Sequence, residues 1–166
     1  MATPESYLRN SIEGIEINSV LDVGSGHGGI FDYHRWNESN LSYGACLDVA
    51  YIRPDIDAFW HRVLASATYL PFRDNCFDHV QSTEMIEHIE SRYHEQVLRE
   101  FMRVARKTIY VTASDEFSHM GPAQKRAEEW NPFNKYRGIV NSSLLRRFGF
   151  RMLLDDGHKV KAFLRL

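Results

Sequence analysis

The sequence predicts an α/β fold in which helices cover both faces of a mostly parallel sheet. Three observations carry the prediction. Short apolar runs alternate with amphipathic stretches, a pattern that requires right-handed crossovers between parallel strands. The first apolar run, Ile17–Val23, ends in a glycine-rich turn, Gly24-Ser25-Gly26-His27-Gly28-Gly29. The chain closes on two apolar runs around Asp155-Asp156-Gly157-His158. An Asp-Gly pair between apolar runs is a hairpin signal, so one antiparallel strand joins the sheet.

The elements follow in order. Pro4–Glu13 predicts a short helix with Tyr7, Leu8 and Ile12 on one side. Ile17–Val23 is a buried strand, apolar and stopped by glycine. Gly28–Trp36 is a helix, Tyr43–Val49 the next strand, and Asp55–Arg62 a short helix. Phe77–Ser82 is a strand, preceded by a turn built on Pro71 and the polar pair Asp74-Asn75. Phe77 and Val80 belong to the core. Glu84–Ile89 and Tyr93–Ala105 form a helix pair, the second with Val97, Leu98, Phe101, Met102 and Ala105 at helical spacing. Thr108–Ala113 is a β-branched strand. Asn141 or Ser142 caps a helix through Phe148 that Gly149 stops. Arg151–Leu154 and Lys159–Leu166 make the hairpin.

With 166 residues the chain has the size of one domain. Hydrophobic residues make up 43% and aromatics 13%, too many for a solvated disordered chain. No window approaches the roughly 18 apolar residues of a membrane span. The N-terminus lacks a basic start and an apolar run, so no signal peptide is expected and the domain is placed in the cytoplasm. Lys and Arg number 20 against 22 Asp and Glu, a net charge of −2, which gives no nucleic-acid signature. Cys46 and Cys76 fit no metal spacing and are expected as reduced thiols, and no metal site is expected.

The glycine turn is the most informative stretch. Glycines where a strand turns into a helix let the backbone approach a ligand, and the helix start offers free N–H donors. Gly24, Gly26 and Gly29 satisfy the dinucleotide spacing, which alone is weak. Asp22 tilts the choice of ligand. A carboxylate two residues before the first glycine repels a pyrophosphate and suits a cationic group, such as the ammonium of S-adenosylmethionine with its nearby sulfonium. Asp48, 24 residues after Gly24, can accept from both hydroxyls of a ribose.

With these residues in view, the chain resembles a class I S-adenosylmethionine-dependent methyltransferase of the small single-domain group. Val20–Gly28 resembles the cofactor loop and Leu47-Asp48 the ribose acid after the second strand. Leu70-Pro71-Phe72 through Phe77-Asp78-His79-Val80 resembles the segment entering the fourth strand, and Ser82–Ile89, with Glu87-His88, the turn after it. The resemblance implies a three-layer Rossmann-like sheet of seven strands, with a C-terminal antiparallel hairpin strand, in one domain over residues 1–166. It implies a cofactor site of Asp22, Gly24, Ser25, Gly26, Gly28, Asp48, Val49, Ser66, Ala67 and Thr83. Phe72 is expected beneath the adenine side. Ser66 stands where the family often has Asp, which implies looser adenine binding; its hydroxyl can still accept from the adenine amino group.

A sulfonium methyl is already activated, so the protein mainly aligns the acceptor and excludes water, with a base needed only when the acceptor must lose a proton first. Glu84 and His88, four apart on one face of the predicted helix, are the candidate catalytic base or orienting groups. Glu87 is expected to be solvated or capping. His119, in the loop after the fifth strand, also comes near the site. Residues 114–140 form a long connection rich in aromatics and basic residues, a substrate-side lid or a structural loop; Tyr136 stands where relatives carry His. The short segment 1–16 leaves the pocket open to a large substrate, a partner protein that completes the site, or a homodimer contact. The leading expectation is methyl transfer to a small-molecule or glycan-like acceptor. The alternatives are an RNA or protein methyltransferase, a non-catalytic cofactor-binding module that scaffolds or regulates a partner, and, with least support, a dinucleotide oxidoreductase. A D/N-P-P-aromatic motif is absent, since the sequence reads Ser82-Thr83-Glu84-Met85; this lowers the expectation of adenine or glutamine methylation.

Overall fold

The computed structural model describes residues 12–26, 41–50, 60–115, 133 and 135–166. They build a seven-stranded sheet: β1 Ser19–Val23, β2 Tyr43–Asp48, β3 Trp60–Leu64, β4 Phe77–Thr83, β5 Ala105–Ser114, β6 Arg151–Asp155 and β7 Lys159–Arg165. The spatial order is β3-β2-β1-β4-β5-β7-β6. Strands β1 to β5 pair in parallel. Strand β7 runs antiparallel to both β5 and β6, so the final hairpin inserts one reversed strand. Strand order reverses between β1 and β4, and ligands of such sheets bind beyond the carboxyl ends at that point.

The pleat sorts side chains onto two faces. Leu21, Val23, Val80, Ile109 and Val111 share one core cluster with α1 (His94–Val104) and α2 (Ser142–Arg147). Helix α1 buries His94, Val97, Leu98, Phe101 and Val104 on one stripe, as its spacing requires. On the other face Tyr110 and Phe163 pack with Ile12. Helix α2 begins as expected: the Asn141 side chain accepts from the Ser143 amide at 2.8 Å. In the β6–β7 turn, the Asp156 carboxylate accepts from the His158 and Lys159 amides, and Gly157 takes φ 87°. Cys46 and Cys76 are free thiols.

Four expectations are corrected. The short helix expected over Asp55–Arg62 ends in strand instead: Trp60, His61 and Arg62 open β3, in register with Gly44, Ala45 and Cys46. The open hydrogen-bonding edge of β2 outweighs the weak local pattern there, a contact that periodicity does not register. Residues 55–59 lie outside the described residues. The helix expected over Glu84–Ile89 is a single 3-10 turn, Ile86–His88. Strand β4 runs on to Thr83, and Glu84 takes φ 51°, a left-handed conformation that cannot open an α-helix. Strand β5 begins at Ala105, three residues before the expected Thr108, because Ala105 pairs with Phe77. Phe72 lies at the amino ends of the strands, where its ring meets that of Phe77 edge-on at 4.9 Å, and not beneath the adenine side. The helices expected over Gly28–Trp36 and, except for its last two residues, Pro4–Glu13 lie outside the described residues.

The Leu70-Pro71-Phe72 segment is held by one side chain of α1. Arg103 donates to the carbonyls of Leu70 (2.9 Å) and Phe72 (2.7 Å) and to Asp74 (2.9 Å). Glu100 accepts from Arg103 and, at 2.7 Å, from the Leu70 amide. The connection after β3 is thereby fixed to the helix behind the sheet.

Candidate active site

The carboxyl ends of β1 and β2 meet at the glycine turn. Gly24 has φ 78° and Gly26 φ 56°, values that only glycine adopts without strain. The amides of Gly24 and Ser25 donate to the Leu47 carbonyl at 2.8 and 3.1 Å, and the Ser25 hydroxyl reaches the same oxygen at 3.4 Å. Asp48 closes the turn: one carboxylate oxygen accepts from the Gly26 amide and the other from the Ala50 amide, each at 2.8 Å. A carboxylate offers about four acceptor positions, so two remain for a ligand. Gly24 also has a contact reason to be glycine. A Cβ there would lie 2.0 Å from Met85 Cγ and 2.4 Å from Met85 Cβ. The turn after β4 therefore sits directly on the glycine turn.

Asp22 is 1% exposed. Its Oδ1 accepts from Gln81 Nε2 at 3.0 Å, and its Oδ2 has no hydrogen-bond partner among the described residues. Burial raises its pKa well above the ordinary value; the Gln81 bond opposes this and the Asp48 charge adds to it. A buried carboxyl oxygen without a donor, beside a glycine turn, fits a ligand that brings a cationic donor of its own. Sequence reasoning missed Gln81, which carries no distinct signal in a strand that also holds Asp78, His79, Ser82 and Thr83.

The remaining cofactor candidates divide. The amide of Ala65 donates to the Asp48 carbonyl at 3.0 Å, which brings the loop with Ser66 and Ala67 alongside. Ala67 is buried. The Ser66 hydroxyl is engaged locally, 2.8 Å from that of Thr68. Val49 is exposed, and Thr83 ends β4 opposite Thr112. Gly28 and His119 lie outside the described residues.

A second polar cluster stands at the carboxyl ends of β4 and β5. Glu84 accepts from the Thr112 hydroxyl at 3.0 Å and from the Ser114 hydroxyl. Glu87, expected to be solvated or capping, is fully buried. Both acids accept from Ser114, Glu84 from its hydroxyl and Glu87 from its amide, so the carboxyl beside Glu84 is that of Glu87. Glu87 Oε1 accepts from the Ser114 amide at 3.3 Å. Burial and then the adjacent Glu84 charge push Glu87 up to about 8. His88 turns instead toward the loop, its ring centroid 5.0 Å from that of Tyr136. The end of the 114–140 connection docks here through backbone: the amides of Arg137 and Gly138 donate to the Glu87 carbonyl at 2.9 and 3.1 Å. The pair of acids three apart, Glu84 and Glu87, was the available sequence signal.

A cavity of about 460 Å³ adjoins this cluster. Ser114 lines it, with Asp115, Ile139, Asn141 and His158 among its other walls. Asp115 and His158 pair at 2.6 Å, which raises the histidine's pKa.

Residues 21–111, more than half of the chain, match a family described as a methyltransferase domain. The fold is similar to that of solved structures. An S-adenosylmethionine-dependent methyltransferase from Aquifex aeolicus is 18% identical, with a TM-score of 0.63 over 96% of this chain and 88% of that one. A protein from Pyrococcus horikoshii is 15% identical, with a TM-score of 0.63 over 98% and 92%. A chain of the Haloferax volcanii complex between the Trm112 methyltransferase activator and a methyltransferase is 19% identical, with a TM-score of 0.59 over 92% and 71%. No curated protein matches the chain.

Proposed function

The chain belongs to the family of methyltransferase domains, and on that premise we propose that it transfers a methyl group from S-adenosylmethionine to a small-molecule or glycan-like acceptor. The observation that carries the reading is the pair of carboxylates flanking the glycine turn. Asp22 offers a buried oxygen without a donor, and Asp48 is fixed by two backbone amides. In this reading Asp22 takes the ammonium end of the cofactor, the Gly24–Gly26 backbone its middle, Asp48 the ribose hydroxyls, and the Ser66–Ala67 loop the adenine. The cofactor supplies an electrophilic methyl group on a sulfonium. The protein's own work is to hold acceptor and methyl in line, to exclude water, and to receive a proton when the acceptor has one to lose. The cavity bordered by Ser114 and Asp115 suits an acceptor of small size.

A macromolecular acceptor reached with a partner protein is the second reading. It is supported by edge strand β3, which ends in Leu64 (71% exposed), followed by Tyr69 (78% exposed), and by the likeness to a chain from an activator complex. No described helix is long and apolar enough to cross a membrane.

Calorimetry with S-adenosylmethionine and with NAD tests the proposal. Binding of S-adenosylmethionine alone, with methyl transfer to small hydroxylated or amine acceptors, is expected. Binding of NAD alone would refute it. Transfer only to RNA or protein would favour the second reading.

A further inference from the structure

We propose that Glu84 and Glu87 form a proton-sharing carboxyl pair that receives the proton of a hydroxyl-bearing methyl acceptor. The inference rests on the methyltransferase reading and names the acceptor class for the same site.

Placement comes first. The backbone after β4 reverses at Glu84, with φ 51°. That reversal puts Met85 against Gly24 of the cofactor loop and sends the Glu84 side chain over the end of β5, onto Thr112 and Ser114. The pair therefore adjoins the cofactor loop on the side opposite Asp48. It also shares Ser114 with the neighbouring cavity. A left-handed conformation in a non-glycine residue is strained and persists where surrounding contacts over-determine it.

The donors come next. Both Glu84 oxygens accept from hydroxyls. Glu87 Oε1 accepts from an amide, while Oε2, fully buried, has no N–H or O–H donor among the described residues. An oxygen in that position is satisfied when it carries the proton itself and donates to Glu84. Two adjacent buried carboxyls cannot both ionise cheaply, so one proton is held between them. The ionisable groups facing the pair are Tyr110 on β5 and Tyr136 on the docked loop; His88, on the same turn, and Asp115, just after β5, stand near Tyr136. Neither the two phenols nor the acid brings a positive charge that would drive the proton off.

The chemistry then selects the acceptor. A carboxylate acceptor has no proton to lose, and an amine can shed its proton to water after attack. A hydroxyl must lose its proton as the new bond forms, and a base titrating near the working pH serves that step. The acceptor oxygen bonds to the methyl carbon, and the carbon–sulfur bond of the sulfonium breaks with its electron pair left on sulfur. The hydroxyl proton passes to the doubly ionised pair, which becomes singly protonated.

Infrared titration of the protein without added ligand is the first arm. Buried protonated-carboxyl signal is expected from Asp22 and from the pair; the band of the pair is expected to vanish with a midpoint near pH 8, to be missing in Glu87→Gln and to persist in Asp22→Asn. Ser114→Ala, which removes one donor to Glu84, is expected to move the midpoint upward and provides a second reading if Glu87→Gln fails to fold. No carboxyl titrating above pH 7, or a midpoint unmoved by Ser114→Ala, overturns the pair. The second arm measures methyl transfer to catechol, glucose and myo-inositol, against aniline and histamine, across pH. Transfer to a hydroxyl with a rate rising through the same midpoint is expected, and roughly 100-fold slower transfer in Glu87→Gln with unchanged S-adenosylmethionine binding. Transfer to amines only, to none of the probes, or with a flat pH profile overturns the proposal while leaving the methyltransferase reading standing. Failure of the wild type to bind S-adenosylmethionine overturns both.

Discussion

Replacing Asp48 tests whether one residue both builds the cofactor loop and binds through it. Asp48 is 7% exposed and accepts two backbone bonds of 2.8 Å, from Gly26 and Ala50. Hydrogen bonds to a charged group contribute about 1.5–3 kcal/mol each. The lower figure applies, because Gly26 is only half-buried and water can replace the lost acceptor. Asp48→Ala is therefore expected to destabilise the protein by about 3 kcal/mol. For a chain of this size that lowers Tm by roughly 6–12 °C. Asp48→Asn is not a mild change here. Its one carbonyl oxygen can serve one amide, while its NH2 faces the other donor, so it is expected to lose at least half as much as Asp48→Ala. Both variants should also bind S-adenosylmethionine about 10- to 100-fold more weakly, by calorimetry at a temperature where the protein is folded. A destabilised Asp48→Ala that binds the cofactor like the wild type would show that Asp48 shapes the turn without touching the ligand. Unchanged stability would refute the two loop bonds themselves.

Gly24→Ala combines a left-handed backbone with an overlap on Met85 and is expected to cost about 2–5 kcal/mol in urea denaturation. Adding Met85→Gly should recover the overlap share and leave the backbone share; no recovery would place Met85 elsewhere. Asp78 is buried at the amino ends of the strands. Burial raises its pKa, but the Asn18 amide, Lys107 and Arg106 outweigh this and hold it below the ordinary value of 3.8. Its stabilising contribution is thus present above 3.8 and lost as pH falls through the lower folded value. Asp78→Asn should be about 1–3 kcal/mol less stable than wild type at neutral pH, with the gap closing in acid; a gap constant into strong acid would remove the charge pairing as its cause. Glu87 acts in the opposite sense. Because it is raised from 4.5 to about 8, the wild type should lose stability as pH rises between those values and change no further above them. Glu87→Gln should reduce that slope in a series of thermal melts, leaving the share of the same sign that Asp22 contributes.

The strands were legible because apolar runs bounded by Gly, Pro and Asp-Gly are local signals. Ile17–Val23 and the closing hairpin were placed within two residues on that basis alone. Strand β3 was missed because His61 and Arg62 carry no strand pattern. What holds them extended is the edge of β2, sixteen residues earlier in the chain. The glycine turn was legible for a similar reason. Its chemistry sits in contiguous glycines, and Asp22 and Asp48 stand at strand ends that the pattern itself marks.

The acid pair was not legible in that way. Glu84 and His88 were matched on helical spacing, and a local rule cannot anticipate that β4 runs on to Thr83 and that Glu84 reverses the backbone. The sequence by itself determined the strands other than β3, the glycine turn and its two carboxylates, because those depend on residues close together in the chain. Only the tertiary structure decided which carboxyl meets Glu84, that Gln81 holds Asp22, and that Met85 covers Gly24. Each of these depends on which strands are neighbours, on their register and on where they end, and pairing across the sheet sets all three.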